Sequence, residues 1–319
     1  MARRFVNELS EQETLDEVFR AADKQLRANR QGGKYILMKL ADRTGTLTGM
    51  YWNVDERIFD SFERGDFVRC QGRIQLYNGN LQAILTDIAK VDVSQVDIAD
   101  FDRFDASAAD ALEVKLRSIL AGLTNVHLRR LGETFLADDD FLARLKIAPA
   151  AVSNHHAYPG GLLQHTVDLM EMAQAISPKY PQVDFELVVM GAFLHDLGKI
   201  EELSSAGEST YTDRGQLIGH IVIGVQMLAE KLQVLEVSVG EPVPDNLRWQ
   251  LEHLILSHHG KLDYGSPKVP MSLEAIALHH LDNMDAKLTA VTSVIEADVS
   301  GDSNWTNYNS AMGRKFWKS

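Results

Sequence analysis

The chain has 319 residues, 45% apolar and 24% charged, with a single cysteine and a formal net charge of −13 at pH 7. That length suits two domains, and the composition supports packed cores rather than disorder. It excludes a disulfide framework, and no apolar run reaches the roughly eighteen residues that a membrane-spanning helix needs. The start, MARRFVNELSEQET, is basic but has no apolar segment behind it, so no secretion signal is expected. Cys70 falls in a strand-like run and reads as a small buried hydrophobe; a reducing, cytoplasmic location fits.

Charge is uneven along the chain. Residues 1–91 hold 14 Lys/Arg against 13 Asp/Glu, a net of +1; the remainder holds 18 against 32, a net of −14. Binding to a phosphate backbone rests on cationic neutralisation, so the first part is the better place for a polyanion. Metal ions would offset acidic charge in the second.

Residues 14–91 read as strands, although Glu17–Ala28 has mixed periodicity. Tyr35–Ala41 and Leu47–Trp52 flank a turn at Asp42-Arg43-Thr44-Gly45. Val54–Phe62 suits a short helix. Phe67–Tyr77 and Leu81–Val91 flank Asn78-Gly79-Asn80, a second hairpin signal. Five strands with a helix between the third and fourth suit an OB-fold barrel over residues 1–91, another small antiparallel barrel being the alternative. Tyr35, Tyr51, Trp52 and Tyr77 fall on these strands. Barrels of this kind bind single strands by aromatic stacking beside a basic groove, which makes Tyr35 and Trp52 candidate substrate contacts. Tyr51 and Trp52 are neighbours, so they face opposite sides of the sheet and one belongs to the core.

Residues 92–106 are acidic and read as a linker. Helical periodicity follows over Ser107–Ala121, Thr124–Ala137, Asp138–Ile147, Gly161–Ala175, Phe185–Leu197, Gly215–Leu232, Asn246–Ser257 and Ser272–Val299, with Asp184 and Ser272 as caps. Residues 107–299 thus form an all-α bundle. Residues 300–319 form a polar, then basic and aromatic tail that docks back or frays.

Of the chain's 11 histidines, all but His127 lie beyond residue 150. His195-Asp196 ends the apolar run LVVMGAFLHDLGK, where a carboxylate is costly unless paired or bound to metal. His165 lies in LLQHTVDLM and Asp282 in HHLDNMDAKL, both among helical apolar residues. Imidazole and carboxylate ligands together suit Mn²⁺, Fe²⁺, Co²⁺, Ni²⁺ or Zn²⁺.

GGLLQHT, FLHDLGK, GQLIGH, LSHHGKLDYGSPKVPM and HHLDNMDAKL together resemble the H…HD…D pattern of HD-domain phosphohydrolases. With the OB-like start, the chain resembles the YhaM-type 3′→5′ exoribonucleases. That resemblance implies one ion held by His165, His195, Asp196 and Asp282, and a second by His220, His258 and His259 with Asp196 bridging. Two divalent ions, Mn²⁺ first among them, would activate water for in-line attack on phosphorus, with no serine or cysteine nucleophile. His258 and His259 are adjacent, so both reach one ion only at an irregular helix end, which Gly260 permits; the rival for His259 is a hydrogen-bond donor beside the site. Asp285, one turn from Asp282, reads as an ion-pair partner. The resemblance assigns Lys199 to the transferring phosphate, against a solvated helix-end cation. His156, in SNHHAYPGG, is a candidate cleft residue, with a structural hydrogen bond as rival.

The implied substrate is single-stranded RNA, with single-stranded DNA as a second substrate because attack does not require the 2′-OH. No membrane partner is expected, and a homo-oligomer is compatible. The alternatives are a hydrolase of free or cyclic nucleotides and a non-catalytic nucleic-acid-binding protein.

Overall fold

The computed structural model describes residues 3–28, 33–77, 79–101, 106–152, 158–204, 210–296 and 303–318. The chain divides into two compact units, Met1–Arg103 with Thr292–Ser319, and Phe104–Val291.

The first unit is built on a closed five-stranded barrel. Its strands are β1 (Thr14–Ala28), β2 (Lys34–Ala41), β3 (Thr46–Trp52), β4 (Phe67–Tyr77) and β5 (Asn80–Val91), with the short helix α1 (Glu56–Phe59) between β3 and β4. The strand order is β1-β2-β3-β5-β4, closing between β4 and β1; only the β3–β5 pair is parallel. This is the OB-fold, as the strand count and the interposed helix suggested. Alternation fills the interior with Ile36, Met38, Leu40, Val68, Cys70 and Ile74. The mixed periodicity of β1 has a cause: the register shifts between Ala21 and Asp23, so that Ala21 and Ala22 are both buried. Buried Asp42 closes the β2–β3 turn, its Oδ1 accepting from the N–H groups of Thr44 (2.8 Å) and Gly45 (3.1 Å). The β4–β5 hairpin pairs Tyr77 with Asn80; Asn78 lies outside the described residues.

The stretch read as a linker carries two 3₁₀ turns, Val93–Gln95 and Ile98–Asp100, while residues 102–105 lie outside the described residues. Residues 303–318 group with the barrel and fold as a small hairpin.

The second unit contains α2 (Ala106–Ala121), α3 (Val126–Leu136), α4 (Asp139–Ile147), α5 (Gly161–Ile176), α6 (Phe185–Leu194), α7 (Lys199–Glu202), α8 (Asp213–Ile218), α9 (His220–Val239), α10 (Asp245–Ser257) and α11 (Leu273–Glu296). Residues 297–299, expected to continue the last helix, lie outside the described residues. Asn125, Asp138, Asp184 and Thr212 cap their helices with side-chain oxygens, and Ser272 Oγ accepts from Ala275 N–H at 3.1 Å. α6 is buried along nearly its whole length; its Phe193 meets Phe135 and Phe141 edge-on, with centroids 5.3 and 6.4 Å away, and those two rings tilt against each other at 5.2 Å.

Two expectations are corrected. The second half is not purely helical: Leu203–Ser204 (β6) pairs with Thr210–Tyr211 (β7). The expected helix Gly215–Leu232 is two, because Gly219 adopts φ 78°, ψ 151°, a conformation that glycine alone reaches cheaply. His220 thereby becomes the first residue of α9. Among the described residues no helix is long and apolar enough to cross a membrane.

Candidate metal centre

α6 stops at Leu194, and His195–Gly198 form a turn before α7. The turn frees two consecutive side chains to face one point. His195 is fully buried and Asp196 is 3% exposed. Asp196 is the hub. Its Oδ2 lies 3.3 Å from His195 Nε2 and 3.9 Å from His165 Nε2; its Oδ1 lies 3.5 Å from His220 Nε2 and 3.6 Å from His258 Nε2. His165 comes from α5, and its Nε2 is 3.4 Å from Asp282 Oδ1 on α11.

Two groups of potential ligands result, each with its donor atoms within 4.8 Å of one another: His165, His195 and Asp282, and His220, His258 and His259. The Asp196 carboxylate has one oxygen toward each. Every predicted ligand is therefore brought together, from α5, the α6–α7 turn, α9, the end of α10 and α11. His258 caps α10, and Gly260 at φ +79° turns the chain there. A Cβ on Gly260 would lie 2.2 Å from the His279 ring, so this turn must be glycine.

The second nitrogen of each imidazole is tied. His195 Nδ1 meets Ala192 O at 2.9 Å, His258 Nδ1 meets Ile255 O at 2.7 Å, and His259 Nδ1 meets Tyr264 O at 3.0 Å. His165 Nδ1 meets Asp285 Oδ2 at 2.8 Å, and His220 Nδ1 meets Glu202 Oε1 at 3.1 Å. Each Nδ1–H donates to an oxygen, which fixes the tautomer and leaves Nε2 as a lone-pair donor toward the centre. Among the described residues, Asp196 Oδ1, His220 Nε2 and His258 Nε2 are buried polar atoms without a hydrogen-bond partner. Orphaned buried acceptors are costly. A divalent cation satisfies all three, and the nitrogen and oxygen donors suit one, so the residues fit the metal that an HD domain binds.

Electrostatics agree with this geometry. Burial opposes charge on Asp196, but Lys199 and His195 beside it hold the carboxyl well below the usual carboxylate range. Burial likewise opposes the Asp282 carboxylate, but its bond to His165 and the charges of His195 and His165 together hold it below the usual range. Burial lowers His165, but Asp282 and Asp285 push it up to about 9, so ion capture there is coupled to proton release. Burial and the neighbouring His195 hold His258 well below its ordinary range, and it stays neutral.

Lys199 opens α7 and sends Nζ to 2.5 Å from Asp196 Oδ2. The solvated helix-end reading fails: a first-turn lysine sits at the wrong end of the dipole, and this side chain is only 19% exposed. Asp285 takes its expected place against His165. His253 Nε2 accepts from Met271 N–H (3.0 Å), and His279 Nδ1 is 2.7 Å from His258 O, so both brace the backbone. His156 lies outside the described residues. On the barrel, Tyr35 and Trp52 are register partners with ring centroids 4.7 Å apart, and Trp52 is 42% exposed, whereas Tyr51 packs on the core.

Sequence reasoning missed Glu202. This residue is 8% exposed and receives both the His220 N–H (2.9 Å) and the His220 ring nitrogen. The signal available in KIEEL was weak, because Lys199 lies at helical spacing from Glu202 and an ordinary i,i+3 ion pair is the simpler reading of the sequence. The pocket over the centre is small, about 200 Å³, lined by His165, Asp196, Lys199, His258, His259 and Asp282 among others. It has room for a phosphate group and a few water molecules.

A five-stranded OB barrel and a helical unit with paired His/Asp clusters define an OB-fold protein with an HD-type metal-dependent phosphohydrolase domain. An OB-fold nucleic acid binding domain matches residues 19–91, and an HD domain matches residues 162–287. The chain is 34% identical over 286 residues to the 3′-5′ exoribonuclease YhaM of Shouchella clausii, covering 89% of this chain and 86% of that protein. It is 31% identical over 300 residues to that of Bacillus subtilis, covering 93% and 92%. Among solved structures, a replication factor A related protein from Methanobacterium thermoautotrophicum is similar at 22% identity over 28% of this chain and 92% of that one, with a TM-score of 0.26. The chain belongs to the YhaM family of 3′-5′ exoribonucleases.

Proposed function

We propose that this protein removes nucleotides from the 3′ end of single-stranded RNA by hydrolysis at a two-ion centre, releasing nucleoside monophosphates. The observation that carries this reading is the convergence of four imidazoles, each tied at Nδ1, on the two oxygens of one buried aspartate, with His259 completing the group of His220 and His258. His165, His195, Asp282 and Asp196 Oδ2 would hold one ion; His220, His258, His259 and Asp196 Oδ1 the other. Mn²⁺ leads among Mn²⁺, Fe²⁺, Co²⁺, Ni²⁺ and Zn²⁺. Two such ions would supply activation of water and stabilisation of charge on the phosphate oxygens.

The chain's own residues do the rest. Asp196 joins the two ligand groups and fixes their separation. Lys199 faces the pocket with an ammonium whose proton is retained: burial opposes its charge, but Asp196 beside it raises the group above its ordinary range. It is suited to holding a nonbridging phosphate oxygen, and Lys199→Ala should lower kcat/KM on RNA. On the barrel, Tyr35 and Trp52 form an aromatic platform beside Arg27, which pairs with Tyr35 across the β1–β2 ladder. A base stacked there would hold the strand while hydrolysis proceeds elsewhere.

The same reading takes residues 1–91 as the capture module, 92–106 as a linker, 107–299 as the hydrolase and 300–319 as a tail. It extends to single-stranded DNA, to a reducing cytoplasm for a chain whose one cysteine is buried, and to assembly as a homo-oligomer. The test is incubation with Mn²⁺ and 5′-labelled single-stranded RNA beside the His195→Ala/Asp196→Ala double variant. Progressive shortening that the variant lacks is the expected result. Inert RNA with hydrolysed free nucleotides would overturn it in favour of a nucleotide phosphohydrolase.

A further inference from the structure

We propose that the C-terminal hairpin, residues 303–318, is a second docking surface for single-stranded nucleic acid, separate from the Tyr35–Trp52 platform. The inference rests on the reading of the substrate as single-stranded RNA. It starts from composition. Residues 303–318 contain Arg314, Lys315 and Lys318 and no Asp or Glu, in a chain whose net charge is −13. They also contain two tryptophans, a tyrosine and a phenylalanine, but no leucine, isoleucine or valine.

The segment is ordered by its own backbone. Thr306 N–H donates to Phe316 O (2.8 Å), Asn309 N–H to Arg314 O (2.9 Å) and Lys318 N–H to Asn304 O (2.7 Å). Thr306 is buried, and its Oγ1 accepts from Phe316 N–H at 2.9 Å. The hairpin rests on the barrel it groups with: Asn307 lies against Gly79 at the β4–β5 tip, where a Cβ would overlap its side chain.

What this order presents outward is the argument. Trp305 is 49% exposed, Trp317 53% and Tyr308 63%; the two indoles meet edge to face with centroids 5.1 Å apart. Tyr77, two residues from Gly79, is 60% exposed. A hairpin that existed only to cover apolar surface would turn its large rings inward. Here the rings face water beside the exposed side chains of Arg314 and Lys315. Flat aromatic faces with cations beside them, and no leucine, isoleucine or valine to fill a protein groove, match the alternation of base and phosphate along a single strand. A second copy of this acidic chain could be drawn to the cations but offers no such match to the rings.

The experiment uses the full chain carrying Asp196→Asn, so that bound RNA survives. Fluorescence anisotropy would measure its affinity for a labelled single-stranded oligonucleotide across a salt series. The comparison is with Tyr308→Ala/Arg314→Glu/Lys315→Glu in the same background, which leaves the Trp305–Trp317 pair in place; Lys315→Glu alone serves if the triple variant misfolds. The triple variant is expected to bind roughly tenfold more weakly or worse, with a log–log salt slope shallower by about 0.7 for each cation lost. Unchanged affinity and slope would overturn the proposal. So would unchanged RNA affinity with a shift to a smaller species in sedimentation, which would make the hairpin an interface between copies. If the parent protein neither binds nor shortens RNA, the exoribonuclease reading falls and takes this one with it. If it shortens RNA and the triple variant binds equally well, only this inference falls.

Discussion

The barrel and the helical unit solve opposite problems with their polar and aromatic groups. In the barrel, strand alternation sends Ile36, Met38 and Leu40 inward and leaves Tyr35, Leu37 and Lys39 on the outer face. The groups suited to RNA stay in water, where keeping them unpaired costs little and a flexible strand can reach them. The helical unit takes Asp196 and the imidazoles His165, His195 and His258 inside, where an unpaired charge costs several kcal/mol. Nothing holds such a cluster except reciprocal bonding and an ion. On the proposed function, capture would sit on a surface that tolerates change, and hydrolysis in a core that does not.

If that contrast is right, the largest effect belongs to the hub. Asp196→Ala strips both ligand groups of their shared carboxylate and leaves the buried Lys199 ammonium without its partner. The loss expected in kcat/KM on RNA is on the order of 10³-fold or more, and elemental analysis of the purified protein should find less metal per chain. Treatment with a chelator should do the same to the parent, with recovery on adding Mn²⁺. Activity within tenfold of the parent, after either change, would end the argument that the buried cluster does the chemistry.

Glu202→Gln should be gentler and more selective. The amide can still bond to His220, but it no longer enforces the tautomer that points Nε2 at the centre. Metal affinity is expected to fall about 10- to 100-fold. The fall should appear in calorimetry as one weakened event while the other persists, because only the group of His220, His258 and His259 contains the reoriented ring. Two equally weakened events would mean that Glu202 supports the fold and not the ligand.

The glutamate also marks the limit of what could be read in advance. His165, His195-Asp196 and Asp282 were legible because each puts a charge or imidazole into an apolar helical run, a conflict that only a ligand or a partner resolves. The barrel was legible through its two hairpin turns. Glu202 was not, because its partner is eighteen residues away, and only the break at Gly219 brings His220 back to it. Apolar residues continue through that break at Leu217, Ile218, Ile221 and Ile223, so periodicity alone joins two helices that the backbone separates. The β6–β7 pair has two residues per strand, too few for any alternation to register. The C-terminal segment showed its basic and aromatic character in sequence, but its hairpin depends on cross-strand backbone bonds that composition does not encode.

On the outer face of the barrel the effects should shrink. Trp52→Ala removes one ring of the Tyr35–Trp52 pair and leaves the interior untouched. Stacking contributes about 1–3 kcal/mol per base, so KM for a long RNA should rise roughly five- to hundredfold while kcat holds. A fall in kcat with KM unchanged would mean that the ring acts at the hydrolytic step, and the division of labour would need redrawing.

The smallest effect tests the barrel interior. Cys70 is fully buried on β4, and burial pushes its thiol well above the ordinary range, so almost no thiolate exists at neutral pH. In native buffer a thiol reagent such as dithiobis(nitrobenzoate) should therefore find almost nothing to label, and the label should rise to one per chain only in denaturant. The rate of labelling should follow the opening of the barrel and not the reagent concentration. Two buried interiors then differ in kind: that of the barrel is chemically silent packing, and that of the helical unit is assembled around reactive polar atoms. Rapid stoichiometric labelling of the folded protein, with loss of RNA hydrolysis, would place a reactive group where the packing allows none, and the distinction between the two regions would fail.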